Sequence, residues 1–341
     1  MVTRLIKNLA GTVSWQHVAK RSRGYVERFS PGQRKKLKDG TFDYMGLTRD
    51  YYDLVTAFYE YGWGESFHFA PLYPDKPFKE SLRLHETCLA DRLDIEPGMR
   101  VLDIGCGIGG PLVLIARHTG AAVVGLNNNH AQVEKARARA ANAGLEPPAD
   151  FLVSDYMHID APDASFDRAY AIESMPHATS KAQAFAEAHR ILKPGGLFAS
   201  YDWCVTSMFD PANADHQHIK REIMIGNALP DISAPVDIDR ALEEAGFEIL
   251  VNDDLAETID TGVPWHKAVG AQKFTPLDFL KTPVGRQVTA KMLWLLERIG
   301  LAPRGSHQVA TILNRGADGL SAGGKLGIFT PMYFTLARKA E

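Results

Sequence analysis

Residues 101–110 read Val-Leu-Asp-Ile-Gly-Cys-Gly-Ile-Gly-Gly, an apolar run into Asp103 followed by four glycines in six residues. Glycine lets a backbone turn tightly and lets a ligand approach without a Cβ in the way. The stretch Pro111 to His118 then reads as a helix, and the first N–H groups of a helix have no partner within it. They would point back toward whatever the turn holds. A strand, a glycine turn and a helix in this order predict an α/β fold that binds a nucleotide-like group.

The spacing of Gly105, Gly107 and Gly110 fits the dinucleotide fingerprint. That reading expects an acid at the end of the second strand, about 20 residues on. Here the strand Ala122–Leu126 runs into Asn127-Asn128-Asn129 instead. An acid does stand before the first glycine: Asp103, where a free ammonium group could be held. Strand-D-x-G-x-G is the pattern of S-adenosylmethionine (SAM) binding, in which the backbone meets the amino-acid end of the cofactor. SAM is favoured over NAD.

A chain of 341 residues exceeds the usual size of one core, so one large domain with insertions, or two domains, is expected. A net charge of −3 leaves no nucleic-acid footprint. Between Lys20 and Lys38 the cations Lys20, Arg21, Arg23, Arg28, Arg34, Lys35, Lys36 and Lys38 face the single acid Glu27. Such a run reads as a solvated arm, or as a contact for an anionic membrane surface. Cys88, Cys106 and Cys204 are scattered and odd in number, which argues for a reducing compartment and against a disulfide framework or a metal site. No run approaches 18 apolar residues, and Met1–Trp15 does not resemble a signal peptide. A cytoplasmic protein, at most peripheral on a membrane, is the expectation.

From Arg100 onward short apolar runs alternate with helical patterns. Arg100–Ile104, Ala122–Leu126, Asp150–Val153, Phe166–Ile172 and Leu197–Asp202 read as strands. Ala131–Ala143, closed by Gly144, and Lys181–Leu192, closed by a turn at Lys193-Pro194-Gly195-Gly196, read as helices. This alternation predicts a parallel sheet with helices on both faces. A sixth strand, Phe247–Asn252, follows the helix Ile238–Ala245, and a last strand, Met332–Ala337, comes only after a long intervening stretch. That stretch is too long for a simple connection and reads as an insertion. The expected division is a cap over 1–80, a cofactor domain over 81–253 to which strand 330–338 returns, and an insertion over 254–329. Within the insertion, Val288, Met292, Leu295, Leu296 and Ile299 recur at helical spacing. They suit a helix packed on the sheet domain or a lipid-facing wall.

A second signal lies upstream. Residues 51–69 read YYDLVTAFYEYGWGESFHF, with an aromatic density far above the chain's 9%. Aromatics usually mean core. Glu60, Glu65 and His68 are interleaved, however, and Gly62 and Gly64 break a regular helix. Aromatic rings with a few polar groups suit a site that handles a transient cation.

Tyr59-Glu60-Tyr61-Gly62-Trp63-Gly64 with Ser66-Phe67-His68-Phe69 closely resembles the first signature of the sterol C-24 methyltransferases. The resemblance continues through 102–111, 125–129, Tyr170-Ala171-Ile172-Glu173, 192–196, Pro264-Trp265, 300–303 and 329–332, so it runs from about Tyr51 to the end. It implies a Rossmann-like class I methyltransferase fold with an N-terminal cap and a C-terminal sterol-binding insertion. It also implies transfer of the SAM methyl group to C-24 of a Δ24 sterol side chain, with S-adenosylhomocysteine as product and no metal. A C-25 cation, a hydride shift and loss of a proton complete that reaction.

By the same resemblance Asp103, Gly105 and Gly107 meet the amino-acid end of SAM, and Asn127 and Asn128 meet the ribose. Asp155 accepts from the adenine amino group or caps its own turn, and Tyr156 is a further cofactor contact. Gln132 is a cofactor contact or a surface glutamine. Glu173, at the carboxyl end of the fourth strand, stabilises the cation or takes the proton. His177 is a candidate base or relay, although Ser174-Met175-Pro176 departs from the family's pattern between these two residues. Glu60, Asp202 and His68 are further polar candidates, with Tyr61 and Trp63 as cation-facing rings. Peripheral membrane contact and a homo-oligomer are further implications. Methylation of another isoprenoid alkene or a prenylquinol, or SAM and sterol binding without turnover, are the alternatives.

Overall fold

The structure is a computed structural model and describes residues 44–270 and 282–341. The basic arm Lys20–Lys38 lies outside the described residues. Seven strands form one sheet: β1 Arg100–Ile104, β2 Ala122–Asn127, β3 Asp150–Val153, β4 Phe166–Ile172, β5 Leu192–Val205, β6 Phe247–Asp254 and β7 Phe329–Lys339. Their order is β3-β2-β1-β4-β5-β7-β6. Neighbours from β3 to β5 pair in parallel, and β7 runs antiparallel between β5 and β6. Val101, Leu102 and Ile104 are fully buried, as a central strand covered on both faces requires.

The longer helices among the described residues are α1 Tyr44–Gly62, α2 Phe78–Arg92, α3 Gly110–Thr119, α4 His130–Ala143, α5 Lys181–Ile191, α6 Ala214–Asn227, α7 Pro235–Glu244, α8 Pro283–Arg298 and α9 Ser306–Lys325. Their ends follow local chemistry. Asn129 caps α4 by accepting from the Gln132 N–H, and the left-handed Gly144 stops it. Ser180 caps α5 in the same way.

One expectation fails. Lys193-Pro194-Gly195-Gly196 forms no helix-to-strand turn but belongs to β5, which begins where α5 ends. Leu192 pairs with Phe166, and the register resumes at Leu197 with Arg168, so the residues between bulge out of the ladder. The bulge gives Pro194 a place where its missing N–H costs no ladder bond.

The described residues fall into two compact units. The larger comprises Glu65–Phe209, Asp231–Trp265 and Gly327–Glu341, and contains the whole sheet. The smaller takes the described residues up to Gly64, Asp210–Pro230 and those of His266–Leu326, and is helical. In the smaller unit, Gly226 of α6 faces Gly316 of α9 so closely that a Cβ on Gly226 would overlap the other backbone. Tyr44, Leu47, Tyr51, Leu54 and Val55 of α1 pack with Ala228, Val309 and Ile312. The Tyr51 hydroxyl donates to the Gly226 carbonyl at 2.6 Å, which satisfies a buried hydroxyl. For Tyr51, then, the aromatic density means core.

Candidate active site

The glycine turn is shaped by what passes over it. Gly105 is left-handed, and a Cβ there would overlap the Ser174 side chain, whose hydroxyl donates to the Ile104 carbonyl. The departure at Ser174 thus seals the underside of the turn. A Cβ on Gly110 would overlap the Glu65 carbonyl, so the Glu65 backbone lies directly on the third glycine. Arg139 of α4 reinforces this, pairing with Glu65 at 3.7 Å and donating to the Ile108 carbonyl. Gly107 differs: it is left-handed, and a Cβ would meet nothing within 4 Å.

Beside that open position, Asp103 is buried at the end of β1, opposite Gly125 on β2 and Tyr170 on β4. Its Oδ2 and the Tyr170 hydroxyl are close enough to interact, yet neither meets a partner in hydrogen-bonding geometry. Burial pushes the Asp103 carboxyl up to about 7; Glu86 adds to this, while Tyr170 and His68 oppose it. A buried acceptor without a donor is a cost that a ligand can remove. The ammonium of SAM would supply the donor and the countercharge, and the open backbone at Gly107 admits its amino-acid end. The residues fit the cofactor.

The remaining cofactor candidates surround the same turn. Asn127 ends β2 and donates to Gln132 at 2.9 Å and to the Gly107 carbonyl at 3.4 Å, while its own oxygen accepts from the Asn129 N–H. Gln132 is buried, so the surface reading of this glutamine is wrong: α4 turns it inward toward Asn127. Asn128 is half-buried. Asp155 Oδ1 caps its own turn through the Met157 N–H at 2.8 Å. The buried Tyr156 donates to the Ser174 carbonyl at 3.3 Å and so ties the loop after β3 to the loop after β4.

Glu173 follows β4 directly. It is buried and left-handed at φ 52°, a strained conformation for a residue with a side chain, and such strain collects at functional positions. Both carboxylate oxygens have donors. The Phe69 N–H reaches Oε1 at 2.6 Å and the Trp203 indole N–H reaches Oε2 at 2.7 Å. Burial raises the Glu173 carboxyl to about 7, with His68, the Phe69 N–H and Trp203 pulling it down and Asp202 pushing it up. The group is therefore poised near neutral pH.

The residues that supply its donors, Phe69 and Trp203, belong to a cluster of four rings. Phe69 lies 5.9 Å from Trp203 and 5.1 Å from Trp265, and Phe329 lies 5.4 Å from Trp203 and 5.7 Å from Trp265. Ring faces attract positive charge without offering a nucleophile. Trp203, at the end of β5, was not read from the sequence. Its only local cue is that it follows Asp202 where the parallel strands end.

The other candidates take separate places. His68 is buried between Glu86, 2.8 Å from Nε2, and the Phe69 carbonyl, 2.7 Å from Nδ1. Its basicity is raised above an ordinary imidazole's: burial lowers it, but Glu86, Glu173 and the Phe69 carbonyl together outweigh burial. Asp202 is fully buried, with Oδ1 accepting from the Trp203 N–H at 3.0 Å and pairing with Lys181 at 3.5 Å. His177 is buried at the end of the short 3-10 turn Met175–His177, which Pro176 initiates. Glu60 is half-buried in α1 and belongs to the smaller unit, as does Trp63, whose N–H closes that helix on the Tyr59 carbonyl at 2.7 Å. The side chain of Tyr61 lies outside the described residues. Among the described residues no cluster of three or more His, Cys, Asp or Glu is placed to hold a metal ion.

Residues 102–200 match the model of a methyltransferase domain, and residues 278–341 match that of the sterol methyltransferase C-terminal region. The chain is 44% identical to the cycloartenol-C-24-methyltransferase of Arabidopsis thaliana, over 99% of each protein. It is 42% identical to the sterol 24-C-methyltransferase of Yarrowia lipolytica, over 93% of this chain and 86% of the relative. The fold is that of a mycolic acid cyclopropane synthase solved with S-adenosylhomocysteine, at a TM-score of 0.63 and 16% identity over 80% of this chain and 90% of the other. A geranyl diphosphate C-methyltransferase from Streptomyces coelicolor superposes with a TM-score of 0.61 at 14% identity, over 87% of this chain and 98% of the other. On sequence likeness over nearly its full length, the chain belongs to the sterol C-24 methyltransferase family of SAM-dependent enzymes.

Proposed function

We propose that the chain methylates C-24 of a Δ24 sterol side chain, with Asp103 holding the cofactor and Glu173 serving the reaction's cation. The observation that carries the reading is the Glu173 carboxylate, buried among aromatic rings and held at both oxygens. Bound at the glycine turn, SAM supplies an electrophilic methyl group.

The protein's own work is to align, to protect and to remove a proton. Asp103, Gly105 and Gly107 orient the cofactor's amino-acid end, Asn127, Asn128 and Gln132 its ribose side, and Asp155 and Tyr156 its adenine side. Good alignment contributes up to roughly 7–11 kcal/mol in well-oriented reactions. Phe69, Trp203, Trp265 and Phe329 keep water from trapping the C-25 cation, and Glu173 compensates its charge or accepts the departing proton. Asp202, at the neighbouring strand end, is a rival base, and His177, on the following turn, is a rival base or a relay. Glu60, Tyr61 and Trp63 serve the sterol. In this reading the cofactor belongs to residues 81–253 with strand 330–338, and the sterol to the cap 1–80 and the insertion 254–329.

The test separates the two carboxylates. Glu173→Gln keeps SAM affinity by calorimetry and loses turnover by about 10²–10³-fold, the scale of losing one electrostatic stabiliser. Asp103→Ala loses SAM affinity itself. Normal turnover in the first variant, or unchanged affinity in the second, removes the corresponding role.

Peripheral membrane contact belongs to the same reading, since a sterol resides in lipid. No helix among the described residues is long and apolar enough to cross a membrane. Helix α8, however, exposes Val284, Val288, Leu295 and Ile299 along one face, flanked by the exposed Lys291 and Arg298. Its single acid, Glu297, is half-buried and accepts from the His307 N–H. Apolar residues edged by cations suit an anionic lipid surface. Liposome flotation checks this: Val288→Glu with Leu295→Glu abolishes flotation, and wild-type flotation in that variant contradicts it. The free thiols Cys88, Cys106 and Cys204 support a cytoplasmic setting. A homo-oligomer is carried by the family likeness alone, and sedimentation equilibrium decides it.

A further inference from the structure

The buried pair of Glu86 and His68 has no part in the reading above. Glu86 sits on the inward face of α2 with Leu82, His85, Leu89 and Ala90. Burying a carboxylate there is costly unless it is paired and hydrogen-bonded. Its partner is His68, from the aromatic segment, at 2.8 Å.

His68 is held at both ring nitrogens by oxygens that accept: the Glu86 carboxylate at Nε2 and the Phe69 carbonyl at Nδ1. A neutral imidazole has one N–H and one lone pair, and the lone pair would then face an oxygen. Against an ionised Glu86, only the imidazolium satisfies both contacts. The Phe69 peptide is in turn gripped on its two sides, because its carbonyl meets His68 while its N–H donates to Glu173 Oε1 at 2.6 Å. One chain of hydrogen bonds thus runs from Glu86 through a cation and a peptide group to Glu173.

We propose that Glu86 is a positioning residue for methyl transfer: by keeping His68 doubly protonated it fixes the Phe69 peptide, and through it the Glu173 carboxylate. Glu86 touches no reacting atom in this account. It acts by holding the group that does, and a misplacement of about 1 Å at a reacting centre can cost a hundredfold in rate. The proposal rests on the reading of Glu173 as the reaction's carboxylate.

The groups around His68 are few. Glu86 and His85 face it from α2, Asp103 from β1 and Glu173 from the end of β4, with the His85 ring 6.0 Å away. His85 is held neutral, since burial, His68 and Arg92 all push its basicity well down. The His68 cation favours the ionised form of Glu173, so neutralising it moves the acid limb of turnover to higher pH.

Two readouts on full-length protein labelled with 15N-histidine test the proposal. In wild type, both His68 ring nitrogens carry imidazolium shifts at pH 7.5; in Glu86→Gln, one becomes an unprotonated nitrogen. In the same variant kcat falls by roughly tenfold to a hundredfold, its acid limb moves to higher pH, and KM for SAM changes less than about twofold. Glu86→Asp restores the imidazolium and part of the rate, and it remains available if the glutamine variant does not fold. A neutral His68 in wild type overturns the proposal, and so does Glu86→Gln with wild-type kcat and pH profile. Failure of the Glu173 reading is separate, because it shows as full turnover in Glu173→Gln while the His68 shifts stay those of an imidazolium.

Discussion

The Trp203 indole N–H donates to Glu173 Oε2 at 2.7 Å, joining a residue near the end of β5 to the one that follows the adjacent parallel strand β4. Burial favours the protonated acid and this bond favours the carboxylate; the outcome is a group that titrates at about 7 instead of its ordinary 4.5. Removing the donor tips the balance. A hydrogen bond to a charged group is worth about 1.5–3 kcal/mol, or roughly one to two pH units.

Trp203→Phe therefore moves the acid limb of kcat upward by about one to two pH units. The sign extends to stability. A carboxyl whose folded pKa is raised binds protons more tightly when folded, so stability declines as pH rises from about 4.5 to about 7 and then levels. In Trp203→Phe that decline continues to higher pH. Rate profiles and melting temperatures across pH 4–9 check both, and an unmoved acid limb refutes the assignment.

Gly107 and Gly110 should respond in opposite ways to alanine. Gly107 faces open space, so Gly107→Ala bears only the left-handed cost of about 1–2 kcal/mol and folds, but its methyl group intrudes where the cofactor lies. Gly110→Ala collides with the Glu65 backbone and loses stability before any ligand is considered. Thermal melts with and without SAM separate them: Gly107→Ala melts near wild type and loses the cofactor's stabilising shift, whereas Gly110→Ala melts early. Equal behaviour of the two would contradict the roles drawn for the turn.

What was legible in the sequence is what local chemistry dictates. Asp103 and the left-handed glycines announce themselves because a turn of that shape tolerates few other residues. The strands β1 and β2 were legible because a doubly covered strand must be apolar. What was not legible depends on partners distant in the chain. Gly110 matched a phosphate-binding spacing, yet its need for a missing side chain comes from Glu65 lying over it. Gln132 read equally as surface or site until the turn of α4 placed it against Asn127. Trp203 and Glu86 carry no motif, and their importance arises only where strand ends and a helix face meet. The Pro194 bulge read as a turn because proline and glycine mark both.

The central claim is tested most directly by supplying the purified protein with methyl-labelled SAM and a Δ24 sterol, and locating the label by NMR. The account predicts label on the carbon attached to C-24, absent in Glu173→Gln although that variant still binds SAM. No label in any Δ24 sterol, or label only in other isoprenoids offered alongside, would contradict it.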